Sequence, residues 1–128
     1  MAKQPITTDR APSPAGGYSQ GIVAGGMVYT AGLGPQDPAT GRIQGDTVEE
    51  QTAQVMRNLQ AVLAEAGAGF EDVVKVTVHL ERLDRDFKGF DTTYRSMMPE
   101  PRPVRTTVGS TLAGILVEID VVAVLPQA

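Results

Sequence analysis

"DVVKVTVHL", Asp72 to Leu80, is the stretch on which the fold turns. Val74, Val76, Val78 and Leu80 fall on one side of an extended backbone, and Lys75, Thr77 and His79 on the other. A period of two, carried by β-branched residues, predicts a strand with one face buried and one left open. The segment before it has a different period. Val48, Val55, Met56, Leu59, Val62, Leu63 and Ala66 recur at three- and four-residue spacing, as on the apolar face of a helix. Thr47 with Glu50 three residues on makes a capping box at its start, and Gly67 and Gly69 end it. After the strand, a second helix is expected from about Asp84 to Met98, with Phe87, Phe90, Tyr94 and Met97 as its stripe and Pro99 as its stop. Glu49, Glu50, Asp84 and Asp86 lie in first turns, where carboxylates favour the positive end of the helix dipole.

Further out, "GIVAGGMVYTAG" (Gly21–Gly32) places two β-prone runs around Gly25-Gly26, which suits the positive φ of a two-residue hairpin turn. The run up to Gly17 is rich in Pro and Gly and reads as surface, with a short edge strand around Ile6. Gly34–Asp46 is dense in turn residues and reads as loop. "VRTTVGS" and "ILVEIDVVAVL" supply two closing strands. The fold class is α+β: one domain over residues 1–128, with a mixed sheet and two helices on one face. The other face would carry Lys75, Thr77 and His79, and also Leu116, Glu118, Asp120 and Val122. A half-apolar open face implies subunits that pack sheet against sheet.

Composition narrows the chemistry. The 128 residues are 41% apolar and 20% charged, the balance of one globular domain. A net charge of -4 provides no basic face for nucleic acid. With no cysteine, disulfides and thiolate chemistry are excluded, and a single histidine, His79, excludes metal sites built from several imidazoles. No glycine-rich phosphate loop appears. No run approaches the ~18 apolar residues of a membrane span, and the N-terminus has no apolar signal core, so the cytoplasm is the expected compartment. Any catalysis must use carboxylates, Arg, Lys, Tyr, Ser/Thr or backbone groups.

Two charged residues stand out. If the last two strands pair as a hairpin about a loop near Leu112, Arg105 and Glu118 become cross-strand neighbours. That spacing fits a structural ion pair, and it also fits a guanidinium fork kept for a substrate carboxylate. Glu118 interrupts a nearly continuous apolar strand, where a buried carboxylate is costly unless paired. Tyr18, in "GGYSQG", follows glycines on a turn and reads as a half-buried loop ring or a pocket wall. His79 reads as an open-face strand residue with no nucleophile near it in sequence. Met56, Met97 and Met98 read as core packing.

"GGYSQG", "VYTAGLGPQDPATG", "EEQTAQVMRNLQAVLAEAG", "DVVKVTVHL", "DFKGFDTTY", "RPVRTTV" and "VEIDVVAV" together resemble the RidA (YjgF, reactive intermediate deaminase) family. They follow the family's order over roughly residues 3 to 125. The resemblance implies a chorismate-mutase-like fold, with a six-stranded mixed sheet and two helices on one face, assembled as a homotrimer with clefts between subunits. It implies hydrolysis of reactive 2-imino acids, products of pyridoxal-phosphate enzymes, to 2-keto acids and ammonia, with no cofactor and no metal. By the same resemblance Arg105 grips the substrate carboxylate and Glu118 orients the attacking water. Tyr18 and Gly32 are cleft contacts, with Ala31, Asp91 and Thr107 as further walls. The chain departs from the pattern at Gly16-Gly17 for Gly-Pro, Ala31 for Ser, Leu33 for Gln, Asp91 for Asn and Thr107 for Cys. Other readings are a non-catalytic regulator that binds small carboxylates, a deaminase of a pathway-specific enamine, and a ribonuclease, the last disfavoured by the acidic composition.

Overall fold

The alternating segments become strands. In the computed structural model, which describes residues 2–126, they are β1 (Gln4–Ile6), β2 (Gly21–Ala24), β3 (Met27–Thr30), β4 (Val73–Leu80), β5 (Val104–Gly109) and β6 (Val117–Val124). The helices are α1 (Val48–Glu65) and α2 (Leu83–Met97), and Phe70–Asp72 form one 3-10 turn before β4. The strands make one mixed sheet in the order β1-β2-β3-β6-β4-β5. All pairings are antiparallel except β4 with β5.

The capping box at Thr47 is formed, with the Thr47 side chain accepting from the Glu50 N–H and the Glu50 carboxylate accepting from the Thr47 N–H. The Asp46 N–H, which also donates to this carboxylate, and then the Thr47 N–H hold the Glu50 carboxyl below its ordinary pKa. Gly67, at φ +82°, takes the left-handed position just past the helix end. Gly25 and Gly26, at φ +59° and +77°, make the hairpin turn between β2 and β3.

The apolar stripe of α1 is fully inside. Val55, Met56, Leu59, Val62 and Leu63 have no exposed surface and pack over Val28, Val76, Val78, Ile119 and Val121 of the sheet. Each such side chain contributes about 1.5–3 kcal/mol of apolar transfer. Phe90 and Tyr94 of α2 join this core, their ring centroids 5.5 Å apart. Both helices therefore cover one sheet face, as the two periodicities require. Met56 and Met98 are buried in the core as expected.

Three expectations need correction. Val74, expected among the buried valines, is turned outward by a register shift between Val73 and Lys75 and is 43% exposed. The bulge adds one residue to β4, so the alternation resumes in the opposite sense on either side of it. Phe87 leaves the buried stripe and is partly exposed, its ring set against Arg105 instead of the core. Most consequential, β5 and β6 are not a hairpin: β4 lies between them. Residues 110–116 are long enough to step over the end of β4. They are fastened there by the Ser110 N–H on Leu80 O, the Glu81 N–H on Leu116 O, and the Glu81 carboxylate accepting from the Leu112 N–H.

Two buried amides clamp the loops that border the site. Gln20 accepts from the Thr8 N–H at 2.7 Å and donates to the carbonyls of Thr8, Ala11 and Pro12, holding the N-terminal loop to the sheet. Asn58 on α1 donates to the carbonyls of Gly34 and Gln36, each at 2.9 Å, holding the loop after β3.

Candidate active site

Strand register places Arg105 and Glu118 on opposite faces of the sheet. Arg105 lies beside Val76, a residue buried under the helices. Glu118 lies opposite His79, on the open face. Cross-strand neighbours share a face, so the two cannot meet in one chain, and the expected pair does not form.

Glu118 belongs to a first cluster on the open face. Its carboxylate rests against Gly32, where a Cβ would stand 2.7 Å from Oε2 and 2.9 Å from Cδ. Gly32 also lines a cavity of about 390 Å³, together with Tyr18, Gln20, Leu33 and Gln36. Tyr18 is half exposed, and its hydroxyl accepts from the Ala15 N–H at 3.1 Å. Ala31 is tied by its N–H to Gln20 O at 2.9 Å. The structure thus brings Tyr18, Gly32, Ala31 and Glu118 to one region.

Arg105 belongs to a second cluster, at the sheet edge under α2. Its Nη1 donates to Asp91 Oδ1 at 2.7 Å, and the two side chains are only 20% and 23% exposed. The guanidinium carbon lies 4.8, 5.2 and 5.7 Å from the ring centroids of Tyr94, Phe90 and Phe87. Three aromatic faces and one carboxylate hold the fork in a single orientation. Thr107, two residues on, shares this face, beside Val78. The buried Tyr94 hydroxyl has no hydrogen-bond partner among the described residues. Burial pushes the Tyr94 phenol above its ordinary pKa, opposed by the charge of Arg105, so it stays protonated at neutral pH.

The open face also holds an unforeseen contact. His79 Nδ1 lies 2.6 Å from Ser110 Oγ, thirty-one residues away in the chain. No local motif could have announced it, because the crossing over β4 creates it. The neighbouring Asp120 carboxyl has a raised pKa, chiefly from burial, opposed by the charges of His79 and Lys75. A raised folded-state pKa means that the native state binds this proton more tightly than the unfolded chain. Asp120 therefore costs stability progressively as pH rises from the unfolded value through the folded one, and fully above it. Asp120→Asn is expected to raise the urea midpoint at neutral pH and to change it little below pH ~3, under the unfolded carboxyl pKa.

Fold and site together define a small α+β protein that presents an arginine at a sheet edge and a glutamate on an uncovered sheet face. The family model described as endoribonuclease L-PSP matches residues 8–125, and the chain belongs to that family, also known as YjgF/RidA. A RutC family protein of Pyrococcus abyssi is 42% identical over 125 residues, covering 96% of this chain and 98% of its own. Reactive Intermediate Deaminase A, chloroplastic, of Arabidopsis thaliana is 36% identical over 127 residues, covering 98% of this chain and 67% of its own. The crystal structure of E. coli TdcF with bound serine superposes with a TM-score of 0.89 at 32% identity, covering 96% of this chain and 99% of that one. The six-stranded mixed sheet with two helices on one face matches the Rid family structure of YyfA from Yersinia pestis, with a TM-score of 0.92 at 35% identity, covering 97% of this chain and 100% of that one. Among the described residues no helix is long and apolar enough to cross a membrane.

Proposed function

We propose that the protein hydrolyses reactive 2-imino acids to 2-keto acids and ammonia, in clefts between the subunits of a cytoplasmic homotrimer. The observation that carries this reading is the separation of Arg105 and Glu118 on opposite sheet faces, with Arg105 on the edge strand β5. A second copy whose β5 edge meets the open face would bring its own Arg105 to this Glu118. Val104, 66% exposed on that edge, Tyr29 and Val108 give such a contact apolar area to cover. The relative named Reactive Intermediate Deaminase A supports the reaction class, and the serine in TdcF supports a small carboxylate as ligand.

The chemistry asks little of the protein. A protonated imine carbon is already electrophilic. Arg105 would fix the substrate carboxylate, and Glu118 would orient a water and take its proton as oxygen bonds to the imine carbon. Glu118 would then return that proton to the amino group of the tetrahedral adduct, which leaves as ammonia while the C–O double bond forms and the hydroxyl proton passes to the departing ammonia. Most of the rate gain would come from positioning. Tyr18, Gly32, Ala31, Asp91 and Thr107 are proposed as cleft walls, and no cofactor takes part.

Coupling threonine dehydratase to the purified protein tests the proposal. 2-Ketobutyrate should form faster than by spontaneous hydrolysis, and an unchanged rate would remove the enzyme. Sedimentation should give one species of three chains at micromolar concentration; a monomer there would leave Arg105 and Glu118 apart and end the shared-cleft reading. The bound serine in TdcF also favours a second reading, a carboxylate-binding regulator. Calorimetric binding of keto acids without turnover would select it.

A further inference from the structure

We propose that Asp91 acts as a charge filter on the Arg105 fork, admitting 2-imino acids with one carboxylate and turning away those with a second anionic group. This rests on Arg105 being the carboxylate clamp, and it goes further by naming the substrate class.

A guanidinium has five N–H donors on three nitrogens. Asp91 takes Nη1 with a single oxygen at 2.7 Å and leaves Nη2 and Nε without a protein acceptor among the described residues. One incoming carboxylate can therefore bind the free edge of the fork. The charge of Arg105 is by then already shared with Asp91, so a second anion finds no cation in surplus. Of the other nearby guanidiniums, one is screened by solvent and the other is paired elsewhere. Arg95 lies 3.9 Å from Asp91 Oδ2 and points largely to solvent, and Arg102 lies 3.2 Å from Glu100.

The walls sharpen the effect. Phe87, Phe90 and Tyr94 surround the guanidinium carbon and bring few polar groups to answer a second charge. Around a partly buried pair the effective dielectric is low, so like charges repel more strongly than in water. Specificity of this kind comes from a repulsive element added to an attractive one. Asp91 fits that role because its carboxylate stands on the same fork the ligand must use. The substrates favoured are imino acids derived from neutral amino acids, and those derived from acidic amino acids are rejected.

The test is calorimetric binding of two keto acids of equal chain length, 2-oxopentanoate and 2-oxoglutarate, which differ by the terminal carboxylate. The wild type should bind 2-oxopentanoate at least about tenfold more tightly. Asp91→Asn keeps the size of the side chain and an oxygen for Arg105 but removes the charge, and should bring the two affinities within about threefold, mainly by admitting 2-oxoglutarate. Unchanged selectivity in Asp91→Asn would overturn the filter. An equal loss of both ligands would also overturn it, since Asp91 would then only position the fork. Selective binding without imino-acid turnover would remove the deaminase and keep the filter. Binding that survives Arg105→Ala would show a clamp elsewhere and end the inference.

Discussion

Arg105→Ala is expected to abolish the acceleration of 2-ketobutyrate formation in the coupled threonine dehydratase assay. A charge-assisted pair to a carboxylate contributes about 1.5–3 kcal/mol, or roughly 10- to 150-fold in kcat/KM. The spontaneous reaction competes throughout, so a loss of that size returns the observed rate to background. The substitution also leaves Asp91, which is mostly buried, with only the solvent-facing Arg95 at 3.9 Å as a cationic partner. Thermal unfolding of the variant separates the two consequences. A folded protein with no acceleration assigns the loss to the clamp, whereas a folded protein with full acceleration would show that Arg105 does not hold the substrate. Arg105→Lys keeps the charge but not the planar fork and should recover only part of the rate.

Gly32→Ala is expected to lower kcat by about a hundredfold, the scale of an ångström's misplacement of a reacting group. The added methyl would meet Glu118 at Oε2, Cδ and Cγ, at 2.7, 2.9 and 3.2 Å, and no backbone atom stands among these nearest contacts. Gly32 does not have a left-handed φ, so alanine costs no backbone strain there. The clash is relieved by swinging a flexible side chain aside. Stability should therefore hold while the carboxylate leaves its place. Wild-type kcat in a variant with unchanged thermal stability would mean that Glu118 does not orient the water.

The two predictions differ in how much of their basis could be read from residue order. Arg105, Glu118 and Tyr18 stand out there by their own chemistry and setting, and Gly32 only by resemblance. The geometry joining Arg105 to Glu118 was not. A hairpin between the last strands is the simplest local connection, and residues 110–116 are short enough to permit it. Those residues instead bridge the end of β4, because the apolar alternations of β4 and β6 bury more surface side by side than either would against the half-polar β5. The partner of Arg105 proved to be Asp91, fourteen residues away on a helix. Only a face-by-face register could reveal that, since Arg105 and Asp91 both point to the helical side.

Residue order determined by itself whatever depends on local period and punctuation. The capping box at Thr47, the glycine stop at Gly67, the Gly25-Gly26 turn and the one-sided burial of β4 beyond its bulge all follow from contacts within a few residues. Tertiary structure alone decided what depends on contacts between distant segments. These are the place of β4 between β5 and β6, the His79–Ser110 contact, the amide clamps of Gln20 and Asn58, and the opposite facing of Arg105 and Glu118. The reason is that a period states which side of an element is apolar, whereas the choice of neighbour is settled by the total surface buried when all elements pack at once.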